Sequence, residues 1–354
     1  MREPPAHLSS ELLCTCLQDR YGLAVAELSF LPLGSDSSAW VYRVRTADAS
    51  EYFLKVRAGA VNEAGLHVPR YLCDQGITGV VAPLPTSPGT LWTNVAGAAL
   101  VLYPFLSGRA GMERGLSDQQ WVAFGTILAQ IHATTLTPNL LQTMRRESYV
   151  PEGADVVRRL DAHISTRTFD DPAARAFAAC WQSRREEIRT LLDRAEGFGR
   201  RLARKGLACV VCHTDIHTNN VLLAADQQVW IVDWDETILA PRERDLMFVI
   251  GGGLRRKLVA PHQETLFFQG YGTTTVDALA IAYYRYARAV SDIGYVGEQV
   301  FFRPDLGPAS KRTAVERFLL LFQPGSNVSQ ALGLDEQAAR SAALRPWSRD
   351  SKRR

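Results

Sequence analysis

Apolar positions recur in two rhythms along this chain, and the change from one to the other falls near residue 110. Before it, residues 28–33, 40–45 and 51–56 are short runs rich in aromatic and β-branched side chains. In the last, Tyr52, Leu54 and Val56 alternate with polar neighbours, the period of a half-buried strand. The short links between these runs predict an antiparallel meander, extended by strands at 80–85, 90–94 and 98–102. Helical spacing covers 11–21, with Leu12, Leu13, Cys16 and Leu17 on one side and Gly22 as its stop, and 63–74, ending before Gly76.

Beyond Gly108 the helical period dominates. Ser117 is placed to cap a helix carrying Trp121, Phe124, Ile127, Leu128 and Ile131, and Asp171-Pro172 to start a long one carrying Phe177, Cys180, Trp181, Ile188 and Leu191. Thr275 or Asp277 caps a later helix through Tyr286 and Val290, and another covers 312–322. Three short strands, at 208–212, 221–223 and 229–232, interrupt this half. Pro104, Gly108 and Gly111 break the pattern at 103–111. The expectation is an α+β, bilobal chain, with a sheet lobe at 1–106, a larger helical lobe at 107–345 and a disordered basic tail at 346–354.

A length of 354 residues suits two lobes better than one small core. Lys plus Arg outnumber Asp plus Glu by only 40 to 37, which nominates no nucleic acid or other polyanion as partner. With no signal-peptide pattern and no run of about 18 apolar residues, no membrane association is expected, and the cytoplasm is the expected location. The six cysteines are scattered. Cys209 and Cys212 form a CxxC with no second pair, which reads as buried strand thiols ahead of a zinc site.

The polar residues that change this picture lie at 212–248, where His213, Asp215, His217, Asn220, Asp233, Asp235, Glu236 and Asp245 stand between strand-forming runs. His213, Asp215 and Asn220 spell H-x-D-x-x-x-x-N, and Asp233 ends the apolar strand Ile231-Val232. Asp215 can take a proton from a hydroxyl, while Asn220 and Asp233 offer the hard oxygen ligands that Mg²⁺ favours when it also holds phosphates.

In this order the residues resemble the catalytic loop and metal aspartate of protein-kinase-like enzymes, specifically the aminoglycoside phosphotransferase branch. Blocks from about residue 12 to 324, including CHTDIHTNNVLL, IVDWDETILAPRERDLMFVIGGG and YYRYARAVSDI, look like those of its spectinomycin phosphotransferase group. The resemblance implies a bilobal protein-kinase-like fold using ATP and Mg²⁺ to phosphorylate the 9-hydroxyl of spectinomycin, an aminocyclitol antibiotic. It implies that Lys55 meets the nucleotide phosphates with Glu63 as its charge partner. It also implies that Ser37 and Ser38, in a serine-rich turn that is neither G-x-G-x-x-G nor a P-loop, cover the phosphates. Tyr103 and Phe105 take the hinge positions that bond adenine, His213 supports the catalytic loop, and Asp245 braces its backbone. Asp235, Glu236 and Asp292 are candidates for the two ammonium groups of the antibiotic by charge alone.

Each feature has a plainer explanation: an edge lysine, an ordinary Gly-Ser turn, a helix-capping aspartate, a core His132. Other functions also remain open. A kinase for a different aminoglycoside, choline or a metabolite carries the same motifs. His213, Asp215 and His217 also spell H-x-D-x-H, as a metallohydrolase could. A catalytically dead binding module would have lost one of Lys55, Asp215, Asn220 and Asp233, and all four are present.

Overall fold

Strand alternation builds the first sheet and sorts its side chains onto two faces. In the computed structural model, which describes residues 5, 7–33, 39–224, 227–254 and 257–333, five antiparallel strands are ordered β1-β2-β3-β5-β4. They are β1 (Val25–Leu31), β2 (Ala39–Thr46), β3 (Glu51–Ala58), β4 (Thr93–Val95) and β5 (Ala98–Pro104). Tyr42 lies opposite Leu54 and Leu54 opposite Leu102, with Trp40, Val56 and Leu100 one step along. That face closes a core with Leu13 and Leu17 of helix α1 (Ser10–Tyr21), which is capped by Ser9. Burying each such side chain stabilises the fold by about 1.5–3 kcal/mol. Residues of odd number, Val41, Lys55 and Val101, then Arg43, Phe53 and Tyr103, occupy the opposite face.

The expected strand at 80–85 is absent. Pro83 and Pro85 have no N–H, and the segment makes single bonds to two different strands, Val81 N–H to the Ile231 carbonyl and Leu84 N–H to the Leu102 carbonyl. A second, three-stranded sheet joins Gly108–Ala110 to Val221–Ala224 and that to Val229–Ile231. The helix Asp118–Ala133 has a capping box in which Ser117 accepts from Gln120 N–H and the Gln120 side chain accepts from Ser117 N–H.

The chain forms two compact units, Met1–Arg145 with Thr218–Ile238, and Arg146–His217 with Leu239–Arg354. This division differs from the expected 106/107 boundary because pairing of Gly108–Ala110 with Val221–Ala224 keeps the chain after the connector in the first unit. The tail expected at 346–354 lies outside the described residues.

The second unit is mainly helical. Asp171 caps Pro172–Ala203 and Asp277, not Thr275, caps Ala278–Phe301. The latter is buried along most of its length, with Tyr283, Tyr284 and Tyr286 nearly inaccessible, so it is enclosed by its neighbours. Trp181 stacks with Phe318 of the helix Pro308–Leu321, and Phe177 meets the same ring at a tilt. Helices Ala154–Thr166, Pro261–Tyr271 and Asn327–Leu332 add to the unit beyond what the pattern had suggested. No helix among the described residues is long and apolar enough to cross a membrane. All six cysteines are free, and the buried Cys212 thiol donates toward the carbonyls of Ala240 and Pro241.

Candidate functional site

In the first unit the polar face of β3 meets the loop that follows Val229–Ile231. Lys55 Nζ donates to Asp235 Oδ2 at 2.8 Å and to Asp233 Oδ1 at 3.1 Å. Arg57, two residues on and therefore on the same face, donates to Asp235 Oδ2 at 2.9 Å, and Asn62 Nδ2 donates to the Asp235 carbonyl at 2.6 Å. Burial works to lower the Lys55 ammonium pKa, but Asp233 and Asp235 outweigh it and hold it above the ordinary lysine value.

These contacts correct two expectations. Glu63 is not the partner of Lys55: its carboxylate accepts from Trp92 Nε1 at 3.2 Å and lies 3.6 Å from His67 Nε2. The short segment between Lys55 and Glu63 starts helix α2 (Ala64–Asp74) with Gly65 against the backbone of Trp234 and Asp235, so the acidic partner comes from that loop. Asp235, expected by charge to meet a substrate ammonium, is engaged by two cations, Lys55 and Arg57. Glu236 pairs with Arg145 at 3.2 Å on the surface.

Asn220 and Asp233 also belong to the first unit. Asn220 is buried at the end of the turn Thr218–Asn220, and its carbonyl accepts from Val232 N–H at 3.0 Å. Asp233 follows Val232 with φ 66°, a left-handed backbone uncommon for a residue with a side chain. The amide oxygen of Asn220 and the carboxylate of Asp233, on adjacent strand ends, are hard oxygen donors of the kind Mg²⁺ favours.

Tyr103 faces a small apolar cluster of Leu66, Leu91 and Val101 with Val61 and Trp92. Phe105, expected to offer its N–H to adenine, instead donates it to the Glu51 carbonyl at 3.3 Å, because the β3–β5 ladder continues past Pro104. Ser37 and Ser38 lie outside the described residues.

The second unit carries Asp215. The strand Val210–Cys212 leads into a loop whose backbone N–H groups at His213 and Thr214 donate to Asp245 at 2.9 and 2.6 Å. Asp245 is fully buried and holds Thr214 at φ 72°, where a β-branched residue is strained. His213 Nδ1 accepts from Asp215 N–H at 3.3 Å. The Asp215 carboxylate is held at both oxygens, Oδ1 by Arg288 Nη1 at 2.8 Å and Oδ2 by His217 Nε2 at 3.4 Å. Burial pushes its pKa up, but the His217 hydrogen bond and the Arg288 charge outweigh burial and hold it well below the usual carboxylate range.

Asp292, a third expected substrate contact, accepts from Arg288 Nε at 3.0 Å and from Asn327 Nδ2 at 2.8 Å. The H-x-D-x-H spacing does not become a metal site. Among the described residues, His213, Asp215 and His217 do not gather their ligand atoms in one place.

Three contacts of these candidates were not assigned from the sequence, although His217 stands in the H-x-D-x-H spacing. Arg57 was within reach of the pattern through strand alternation and His217 through its spacing from Asp215, but Arg288 acts across 73 positions of sequence, a separation no local pattern reports.

The phosphotransferase enzyme family matches residues 29–288. No curated protein matches the chain. Among solved structures, spectinomycin phosphotransferase APH(9)-Ia, in complex with ADP and spectinomycin, superposes with a TM-score of 0.82 at 31% identity, covering 92% of this chain and 98% of that one. An amicoumacin kinase, hAmiN, bound to AMP-PNP, Ca²⁺ and amicoumacin, gives 0.62 at 16% identity over 91% of this chain and 96% of its own. A Plasmodium vivax ethanolamine kinase gives 0.55 at 13% over 85% and 83%; these last two share the fold alone. The expected α+β kinase-like fold, with an antiparallel sheet followed by a larger helical part, is the one found.

Proposed function

Because the chain belongs to the phosphotransferase enzyme family, we propose that it is an ATP-dependent O-phosphotransferase whose acceptor is spectinomycin, acting in the cytoplasm and conferring resistance. The observation that carries the substrate is 31% identity with a spectinomycin phosphotransferase over 92% of this chain. The reaction class is supported by Lys55, Asp215, Asn220 and Asp233 occurring together in the order the chemistry needs. The acceptor oxygen, at the 9-position of the antibiotic, bonds to the γ-phosphorus as the bond to the β–γ bridging oxygen breaks. ADP leaves with that electron pair, and the hydroxyl proton passes to the Asp215 carboxylate.

Lys55, held by Asp235, neutralises phosphate charge, and Tyr103 borders the adenine with the neighbouring connector backbone. Asn220 and Asp233 would hold Mg²⁺, which when bound offsets the charge of the phosphate oxygens. Asp245 and His213 fix the loop that presents Asp215.

A second acceptor class has a specific observation in its favour. Asp235, Glu236 and Asp292 all have cationic partners, so the acidic residues expected to favour spectinomycin are engaged elsewhere. A kinase for another small hydroxylated amine or sugar is compatible with that. The test is to incubate the protein with ATP, Mg²⁺ and separately spectinomycin, other aminoglycosides and choline, and to look by mass spectrometry for one added phosphate. Phosphorylated spectinomycin is expected. A different modified acceptor, with spectinomycin untouched, would reject the substrate and keep the reaction.

A further inference from the structure

Arg288 joins two carboxylates from one guanidinium. Its Nη1 donates to Asp215 Oδ1 at 2.8 Å, and its Nε donates to Asp292 Oδ1 at 3.0 Å, one helical turn away on Ala278–Phe301. Asn327 Nδ2 holds the other Asp292 oxygen at 2.8 Å. The ring of Phe248 packs under both partners of Asp215, with the Arg288 guanidinium 5.8 Å and the His217 ring 5.8 Å from its centroid. Asp215 is thus clamped from a helix on one side and from its own loop on the other, and each clamp is itself wedged.

We propose that Arg288 is a positioning residue for phosphoryl transfer, fixing the Asp215 carboxylate in one orientation toward the acceptor hydroxyl, with Asp292 and Asn327 holding Arg288 in place. This rests on the reading of Asp215 as the group that receives the acceptor proton. The planar fork suits the task because two of its donors point at different carboxylates in fixed directions, which a lysine ammonium does not reproduce.

The charged and titratable groups facing Asp215 are Arg288 from the helix and His217 and His213 from the loop, with Asp292 acting on Arg288. Removing the guanidinium takes away one of the groups that favour the ionised form, so the carboxylate then protonates at higher pH. A basicity held low by Arg288 fits a loose transition state, in which the acceptor proton is transferred late and orientation matters more than base strength.

The test compares Arg288→Met and Arg288→Lys with the wild type in two arms. In the kinetic arm, with whichever acceptor the panel identifies, Arg288→Met lowers kcat by about 10- to 100-fold. Its KM for ATP stays within about threefold, the acid limb of its kcat/KM profile moves to higher pH, and Arg288→Lys recovers part of the loss. In the second arm, ¹³C NMR follows protein labelled at the aspartate carboxyl carbon, with Asp215→Asn assigning the resonance. The wild-type Asp215 signal stays ionised at pH values where the Arg288→Met signal titrates.

The NMR arm needs no acceptor, so a wrong substrate and a wrong role for Arg288 give different results. Wild-type kcat and an unmoved acid limb in Arg288→Met would overturn the proposal. So would identical Asp215 titrations, or lowered thermal stability with an unchanged profile. If Arg288→Met does not fold, Arg288→Lys carries both arms. It is expected to fall between inactive and wild type, and wild-type behaviour in it would overturn the proposal equally.

Discussion

Asp235 holds Lys55 and Arg57 together on a half-buried face, so removing its charge leaves two cations competing for Asp233. Asp235→Asn is therefore expected to lower kcat/KM for ATP by about tenfold or more, whereas Glu63→Gln stays within about threefold, because breaking one partner of a half-buried pair costs more than losing a surface contact. Steady-state kinetics of the two variants decides whether the lysine partner has been identified. Asp215→Ala is expected to lower kcat by about 10²-fold or more with ATP affinity nearly kept; turnover at the wild-type rate would reject its role. Asp215 also gives a pH signature. Its folded pKa lies below the unfolded one, so its stabilising contribution is complete above the ordinary carboxylate pKa of about 4 and is lost as pH falls toward the folded value. The stability difference between wild type and Asp215→Asn in denaturant melts should shrink as pH falls below about 4 and be constant above it. At this scale local spacing nominated Asp215, Asn220 and Asp233 as candidates, and the family resemblance added Lys55 and Asp245. Neither reported that Lys55 pairs with Asp235 and not with Glu63, because ion pairing is decided by which loop the fold brings to a strand.

Helix α2 approaches the loop of Asp233 and Asp235 so closely that a Cβ on Gly65 would stand 2.7 Å from the Trp234 carbonyl and 3.1 Å from the Asp235 Cα. Both are backbone atoms, so a methyl group there must displace the loop or the helix. Gly65→Ala should lower thermal stability by about 1–3 kcal/mol and raise KM for ATP, since the displaced loop carries both carboxylates that face Lys55. A variant with wild-type KM would show that the loop position does not matter to the nucleotide. The other elements show which signals are readable. Ser117, Asp171 and Asp277 announced their helices through side-chain caps, whereas Ala154–Thr166 begins at Gly153, which has no capping side chain, although Val157, Leu160 and Ile164 keep helical spacing. The run at 80–85 was apolar enough for a strand, but its prolines deny it the ladder bonds that alternation alone does not count.

Because the first unit is discontinuous in sequence, drawing on Met1–Arg145 and Thr218–Ile238, the two rhythms along the chain separated the sheet-rich from the helix-rich part without locating this division. It depends on a non-local pairing, Gly108–Ala110 with Val221–Ala224, and neither strand reports its partner. The segment that returns supplies Asn220, Asp233 and Asp235, so a fragment ending at residue 145 keeps Lys55 and loses every carboxylate that pairs with it. Such a fragment should fail to show Mg²⁺-dependent nucleotide binding and should melt well below the whole chain. In the whole chain, ATP with Mg²⁺ at about 100 times its Kd should stabilise the folded state by about 2.7 kcal/mol, read as a rise in Tm. EDTA should remove most of that rise, since the oxygen donors of Asn220 and Asp233 then have no cation to share with the phosphates. Asp233→Asn should lose the Mg²⁺-dependent part of the rise while Asp215→Ala keeps it, because Asp215 is assigned to the acceptor and not to the nucleotide. Equal rises in both variants would mean that the metal is held by other residues.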